Sequence, residues 1–125
     1  MSCCQACNKS KTVAGLCHDH HGFLELLSTL EAKLDPRGPL LDKLVHLSEE
    51  HHRIEETKIL PILQKKGHSK LASQILIDHT TLKTLKTEVQ HAKSAGEARI
   101  RLARLAKKLR EHIQLETSTA FPLST

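Results

Sequence analysis

Apolar residues recur at three- and four-residue intervals along four stretches of this chain, with polar residues between them. Spacing of that kind gathers the apolar side chains onto one side of an α-helix, whose period is 3.6 residues. The first stretch, 17–34, aligns Phe23, Leu27, Leu30 and Leu34 and stops at the turn sequence Asp35-Pro36-Arg37-Gly38. The second opens at Pro39 and Leu40, where proline suits a first helical turn, and runs to Gly67. Its stripe is Leu41, Leu44, Ser48, His51, Glu55 and then Ile59 or Ile62. Pro61 inside this stretch predicts a kink or a break. The third, 69–93, aligns Ile75, His79, Leu82, Leu85, Val89 and Ala92, and Ser94-Ala95-Gly96 interrupts it. The fourth, 97–120, aligns Leu102, Leu105, Leu109, His112 and Glu116. Four amphipathic helices with short connections predict an all-α fold, an antiparallel up-down-up-down four-helix bundle.

The exceptions on these stripes carry the chemistry. His51 with Glu55, and His112 with Glu116, lie four residues apart and so project inward together, one turn above the other. His20 and His79 fall on the stripes of the other two helices. A carboxylate on a core stripe is costly unless it is paired or bound to a metal. Several other histidine–glutamate pairs share the spacing of four, but only His51 and His112 are followed ten residues on by proline, at Pro61 and Pro122. Each is also preceded, 31 and 33 residues upstream, by the histidine of an Asp-His pair, Asp19-His20 and Asp78-His79. The order His, then His-x3-Glu-x5-Pro, therefore occurs twice, as expected of a duplicated unit. Imidazole with carboxylate suits iron, manganese or zinc. His46, His52, His68 and His91 lack this ordering and read as surface or packing residues, and Glu25, Glu49, Glu50, Glu56 and Glu88 as solvated faces.

This order resembles that of the hemerythrin-like, or HHE cation-binding, family, over roughly residues 18 to 124. The resemblance implies a four-helix bundle holding two non-haem iron ions, with Glu55 and Glu116 bridging them and His20, His51, His79 and His112 capping them from either side. It also implies a role in binding or sensing oxygen, nitric oxide or peroxide, or in handling iron, more a binding protein than an enzyme. Hemerythrins proper carry a further histidine one turn along the third helix, where this chain has Lys83, a position from which an ammonium could reach a bound ligand.

The 125 residues suffice for one domain with a real core. All four cysteines, Cys3, Cys4, Cys7 and Cys17, lie in a segment, 1–17, that precedes the bundle at 18–125. Cys4-x2-Cys7 followed by Cys17-x2-His20 fits tetrahedral zinc and resembles a small zinc knuckle. If zinc claims His20, His21 takes the place in the bundle. A redox pair at Cys4 and Cys7, or a reduced tail, are the other readings, and a reducing cytoplasm argues against disulfides. A regulatory module binding a protein or nucleic-acid partner, with the bundle metal as its sensor, is the alternative function. Lys and Arg outnumber Asp and Glu by 19 to 14, and Arg99, Arg101, Arg104, Lys107, Lys108 and Arg110 cluster on the fourth helix. Spread over outward positions without stacking aromatics, they read as a solvated face before a nucleic-acid surface. No apolar run is long enough for a membrane span and no signal-peptide core is present, which predicts a soluble, cytoplasmic protein.

Overall fold

The structure, a computed structural model, describes residues 5–125. A short 3₁₀ turn at Gln5–Asn8 leads into α1, Lys11–Glu31. The second arm consists of α2, Pro39–Ile54, a wider turn at Glu55–Ile59, and α3, Leu60–Lys65. Next come α4, Ser69–Gln90, and the fourth arm, built from α5, Ala95–Leu115, a second wide turn at Glu116–Ala120, and α6, Phe121–Leu123. The α1 helix packs on α2, α2 on α4, α4 on α5, and α5 back on α1, which closes the four-helix bundle.

Local chemistry sets the ends. The Ser10 hydroxyl accepts from the Val13 N–H at 3.3 Å, so α1 starts six residues before the expected position and Cys17 lies within the helix. Ser94 caps α5 in the same way through the Glu97 N–H at 3.1 Å. Gly67, at φ 88°, ends α3 with the His68 N–H donating to the Leu63 carbonyl at 2.7 Å, a left-handed stop that glycine adopts without a Cβ clash. At the other end of the bundle α1 finishes at Glu31, so Leu34 falls outside the helix and is exposed.

The helical backbone runs through Pro61 and Pro122 without a break. Each sits just beyond a wide turn that begins at the motif glutamate: the Leu60 N–H donates to the Glu55 carbonyl, and the Phe121 N–H to the Glu116 carbonyl, five residues back in both cases. Proline has no N–H and its ring crowds the carbonyl four residues earlier. The extra residue in the turn relieves that crowding while the helix continues, so the repeated proline marks a repeated π-type bulge. The bulge also resets the apolar stripe, burying Ile59 and leaving Ile62 at the surface.

Two apolar clusters form the core. One joins Phe23, Leu27 and Leu30 of α1, Leu41 and Leu44 of α2, Leu82 and Val89 of α4, and Leu102, Leu105 and Leu109 of α5. The other joins Val13, Leu16 and Cys17 with Ile59, Leu63, Ala72, Ile75 and Phe121. A belt of buried polar side chains separates them: His20, His51, His52, Glu55, Asp78, His79, His112 and Glu116.

Candidate metal centre

Helical spacing aims the belt inward, and the bundle supplies the convergence. Around Glu116, one carboxylate oxygen, Oε1, lies 3.0 Å from His20 Nε2 and 3.9 Å from His51 Nε2. The other, Oε2, lies 3.1 Å from His112 Nε2 and 4.0 Å from His79 Nε2. Glu55 likewise divides its oxygens, Oε2 at 3.3 Å from His51 Nε2 and Oε1 at 3.0 Å from His79 Nε2. Two compact ligand groups result, His20, His51, Glu55 and Glu116 on one side and His52, Glu55, His79 and His112 on the other. Glu55 belongs to both, and Glu116 reaches histidines of both.

Three of the imidazoles are fixed from behind by a carboxylate. Asp19 Oδ2 meets His51 Nδ1 at 3.0 Å, Glu56 Oε2 meets His79 Nδ1 at 2.7 Å, and Asp78 Oδ2 meets His112 Nδ1 at 3.1 Å. A ring nitrogen that donates to a carboxylate leaves the opposite nitrogen, in the neutral ring, as a lone pair. The three Nε2 lone pairs then face the oxygens of Glu55 and Glu116, acceptor against acceptor, which is repulsive unless positive charge lies between them. Consistent with this, Glu55 Oε2 and His112 Nε2 are buried and make no hydrogen bond among the described residues despite their close neighbours. The donor set fits a cation: atoms about 3 Å apart are spaced as two ligands of one ion at roughly 2.1 Å from each, and carboxylate-backed histidine is the usual support of a ligating imidazole.

Charge within the belt is unevenly held. Burial, and then the adjacent Glu116, push Glu55 up to about 7. Burial acts on Glu116 too, but the adjoining Glu55, His112 and His20 outweigh it and hold Glu116 well below the usual carboxylate range. A bound cation would offset the cost of burying these two neighbouring carboxyls. Burial opposes charging of His51 and His112, yet their carboxylate partners prevail and raise both. His20 and His52 are lowered, mainly by burial.

The structure brings together His20, His51, Glu55, His79, His112 and Glu116, all expected from the duplicated pattern. His20 takes the bundle position, while His21 joins neither ligand group. His52, expected as a surface or packing residue, is buried, stacks on His79 with ring centroids 3.9 Å apart and joins the second ligand group. One residue past His51 it lies off the apolar stripe, so periodicity hid it; at the belt, the bundle admits both neighbouring positions. Glu56, expected in solvent, turns back to His79. The Asp-His pairs were visible, but Asp19 and Asp78 serve the histidines of the next arm instead of their own neighbours.

The cysteine reading is only partly reached. Cys3 and Cys4 lie outside the described residues. Cys7 is half-buried against the second apolar cluster. Cys17 is buried on α1 and, against expectation, disulfide-bonded, and a sulfur so engaged is not a thiolate ligand. His20, the fourth member of the supposed zinc set, turns to Glu116. Among the described residues neither ligand group contains a cysteine.

The basic residues of α5 are largely committed within the molecule. Arg110 pairs with Glu31, Arg101 with Glu97 and the Glu88 carbonyl, Arg99 with the Leu34 carbonyl, and Lys108 with Asp78 at 2.9 Å. No helix among the described residues is long and apolar enough to cross a membrane.

Neither the curated proteins nor the solved structures yielded a match to this chain. The family described as hemerythrin HHE cation binding domain matches residues 12–124, from the first turn of α1 to the end of α6. With a match of that extent over a bundle whose histidines and glutamates converge on a cation-binding belt, the chain belongs to the hemerythrin HHE cation-binding family.

Proposed function

We propose that the belt holds a pair of non-haem iron ions and uses them to bind or sense a small oxidant such as oxygen, nitric oxide or peroxide. The observation that carries this reading is the sharing of Glu55 between two histidine-rich ligand groups, with Glu116 split between the same two sides. Carboxylate-linked pairs of iron or manganese are typical of such inward Glu and His sets in helical bundles. His20 and His51 would hold one ion, and His52, His79 and His112 the other. Bound iron would supply the redox electrons. The chain itself fixes the imidazole rings through Asp19, Glu56 and Asp78, shields the first group with Phe23 and Phe121, and excludes water with an apolar layer on either side of the belt.

The test is elemental analysis and an optical spectrum of protein purified without oxygen, before and after air, nitric oxide or peroxide is admitted. We expect iron at about two ions per chain and a spectrum that changes with one equivalent of the oxidant. Zinc alone, with no iron taken up on reconstitution, would sink the reading. Iron that leaves on reduction would assign the same site to iron handling.

A further inference from the structure

Of the histidines in the second ligand group, two are tied down and one is not. His79 and His112 each meet an acid through Nδ1, Glu56 at 2.7 Å and Asp78 at 3.1 Å. His52 makes no hydrogen bond among the described residues, and unlike His20 Nδ1 and His112 Nε2 its ring nitrogens are not sealed from solvent. Ring packing holds it in place, stacked on His79 at 3.9 Å and edge-on to His51 and His112. A carboxylate behind an imidazole fixes its direction and strengthens it as a ligand, so the ring without one is the most weakly held of its set.

The same ring borders open space. A groove of about 240 Å³ between α2 and α4 is lined by His52 and His79, with Glu56 and Lys83 beside them. Lys86, two turns after His79, also borders this groove but is 2% exposed, and its Nζ, sealed and without a hydrogen bond among the described residues, takes no part there. The first ligand group is closed by comparison. A larger groove of about 520 Å³, between α1 and α2, meets it at His51 alone, a ring that Asp19 holds at 3.0 Å and Phe23 abuts edge-on at 5.1 Å. His20 has no acid behind it either, but Phe121 stacks on it at 5.3 Å and neither groove reaches it. His52 thus combines a loosely held ring with room to move.

We propose that His52 is the exchangeable ligand of the centre, a ring that holds the second metal position at rest and turns into the groove to yield that position to an incoming small ligand. His79 and His112, fixed by their acids, keep the metal in place meanwhile. The metal supplies the affinity, so the ligand is a small lone-pair donor of the size of the oxidants named above. The inference rests on the belt holding a metal, as proposed above, but not on that metal being iron.

Cobalt(II) is the metal for the test, because its visible bands report changes in coordination, and azide is the probe. Azide is titrated into cobalt-loaded wild type, His52→Ala and His112→Ala, with the metal content of each measured. If His52 occupies the position about nine-tenths of the time or more, its removal raises azide affinity about tenfold or more. We expect His52→Ala to keep its cobalt and show that gain, with added imidazole competing against azide for the vacated position, and His112→Ala to lose cobalt instead. Crystals of wild type with azide on the metal should show the His52 ring turned into the groove, a result that needs no variant to fold. The inference is overturned if His52→Ala binds azide no tighter than wild type, if it loses cobalt as readily as His112→Ala, or if His52 stays in place in the azide-bound crystals. Protein that lacks iron yet takes up cobalt and responds as expected would remove the iron reading alone, whereas wild type that takes up neither metal would remove both.

Discussion

His51 and His112 each have one nitrogen turned to the centre and the other tied to an acid on a neighbouring helix. Asp78 carries the heaviest load, holding His112 Nδ1 at 3.1 Å while itself held by Lys108 at 2.9 Å and Gln74 at 2.9 Å. We expect Asp78→Asn to leave the helical circular dichroism unchanged and to lower metal affinity about 10–100-fold in a chelator competition. Lys86 gives the pH prediction. Its ammonium keeps a proton to about 10.5 in the unfolded chain but only to about 8 in the fold, so folding expels a proton between those values. The destabilisation is therefore full below about 8, shrinks as pH rises through that window, and is gone above about 10.5. Lys86→Met should stabilise the protein on the order of 3 kcal/mol at neutral pH, and the gap between the two melting curves should narrow steadily toward pH 10. A gap that does not change with pH would refute the buried charge. At this scale the sequence displayed His20, His51, Glu55, His79, His112 and Glu116 through their repeated order. It hid His52 and Lys86, because a residue one step off a stripe looks like any solvated position until the neighbouring helix covers it.

The arms of the bundle are legible as elements because apolar spacing and end signals agree. Ser94 starts a helix and Gly67 stops one as their chemistry dictates. Gly67→Ala tests the second of these. Nothing lies within 4 Å of where a Cβ would sit, so the whole cost comes from the left-handed backbone at φ 88°, and we expect a loss of about 1 kcal/mol in denaturant unfolding. An unchanged midpoint would mean that the turn relaxes. The prolines show the limit of reading elements locally. Pro61 inside a helical stripe predicts a kink or a break; the helical backbone does not break but passes through a turn one residue wider that starts at Glu55, and repeats the device at Glu116 before Pro122. The repeat His-x3-Glu-x5-Pro therefore encodes a backbone feature as well as ligands, visible once both copies adopt the same geometry.

Across the whole molecule, a belt of five histidines and two glutamates lies between two apolar clusters, so the fold gathers metal-capable donor atoms where it also excludes water. An ion bound there stabilises the folded chain by its binding free energy, about 4 kcal/mol when present at a thousandfold excess over its dissociation constant. We expect verified removal of metal by a chelator to lower the melting temperature markedly while retaining helical content, and re-addition to restore it; unchanged melting would count against a core site. The sequence by itself determined the four helices, their antiparallel order and the six repeated inward histidines and glutamates, because those depend on periodicity and on spacing within one helix, which short-range geometry fixes. Tertiary structure alone decided the rest. It chose His20 over His21, brought His52, Asp19, Glu56 and Asp78 to the belt, disulfide-bonded Cys17, and left Lys86 Nζ buried without a hydrogen bond among the described residues. Those outcomes depend on which helix faces lie within a few ångströms of one another, and side-chain direction across a bundle follows from packing, not from position along the chain.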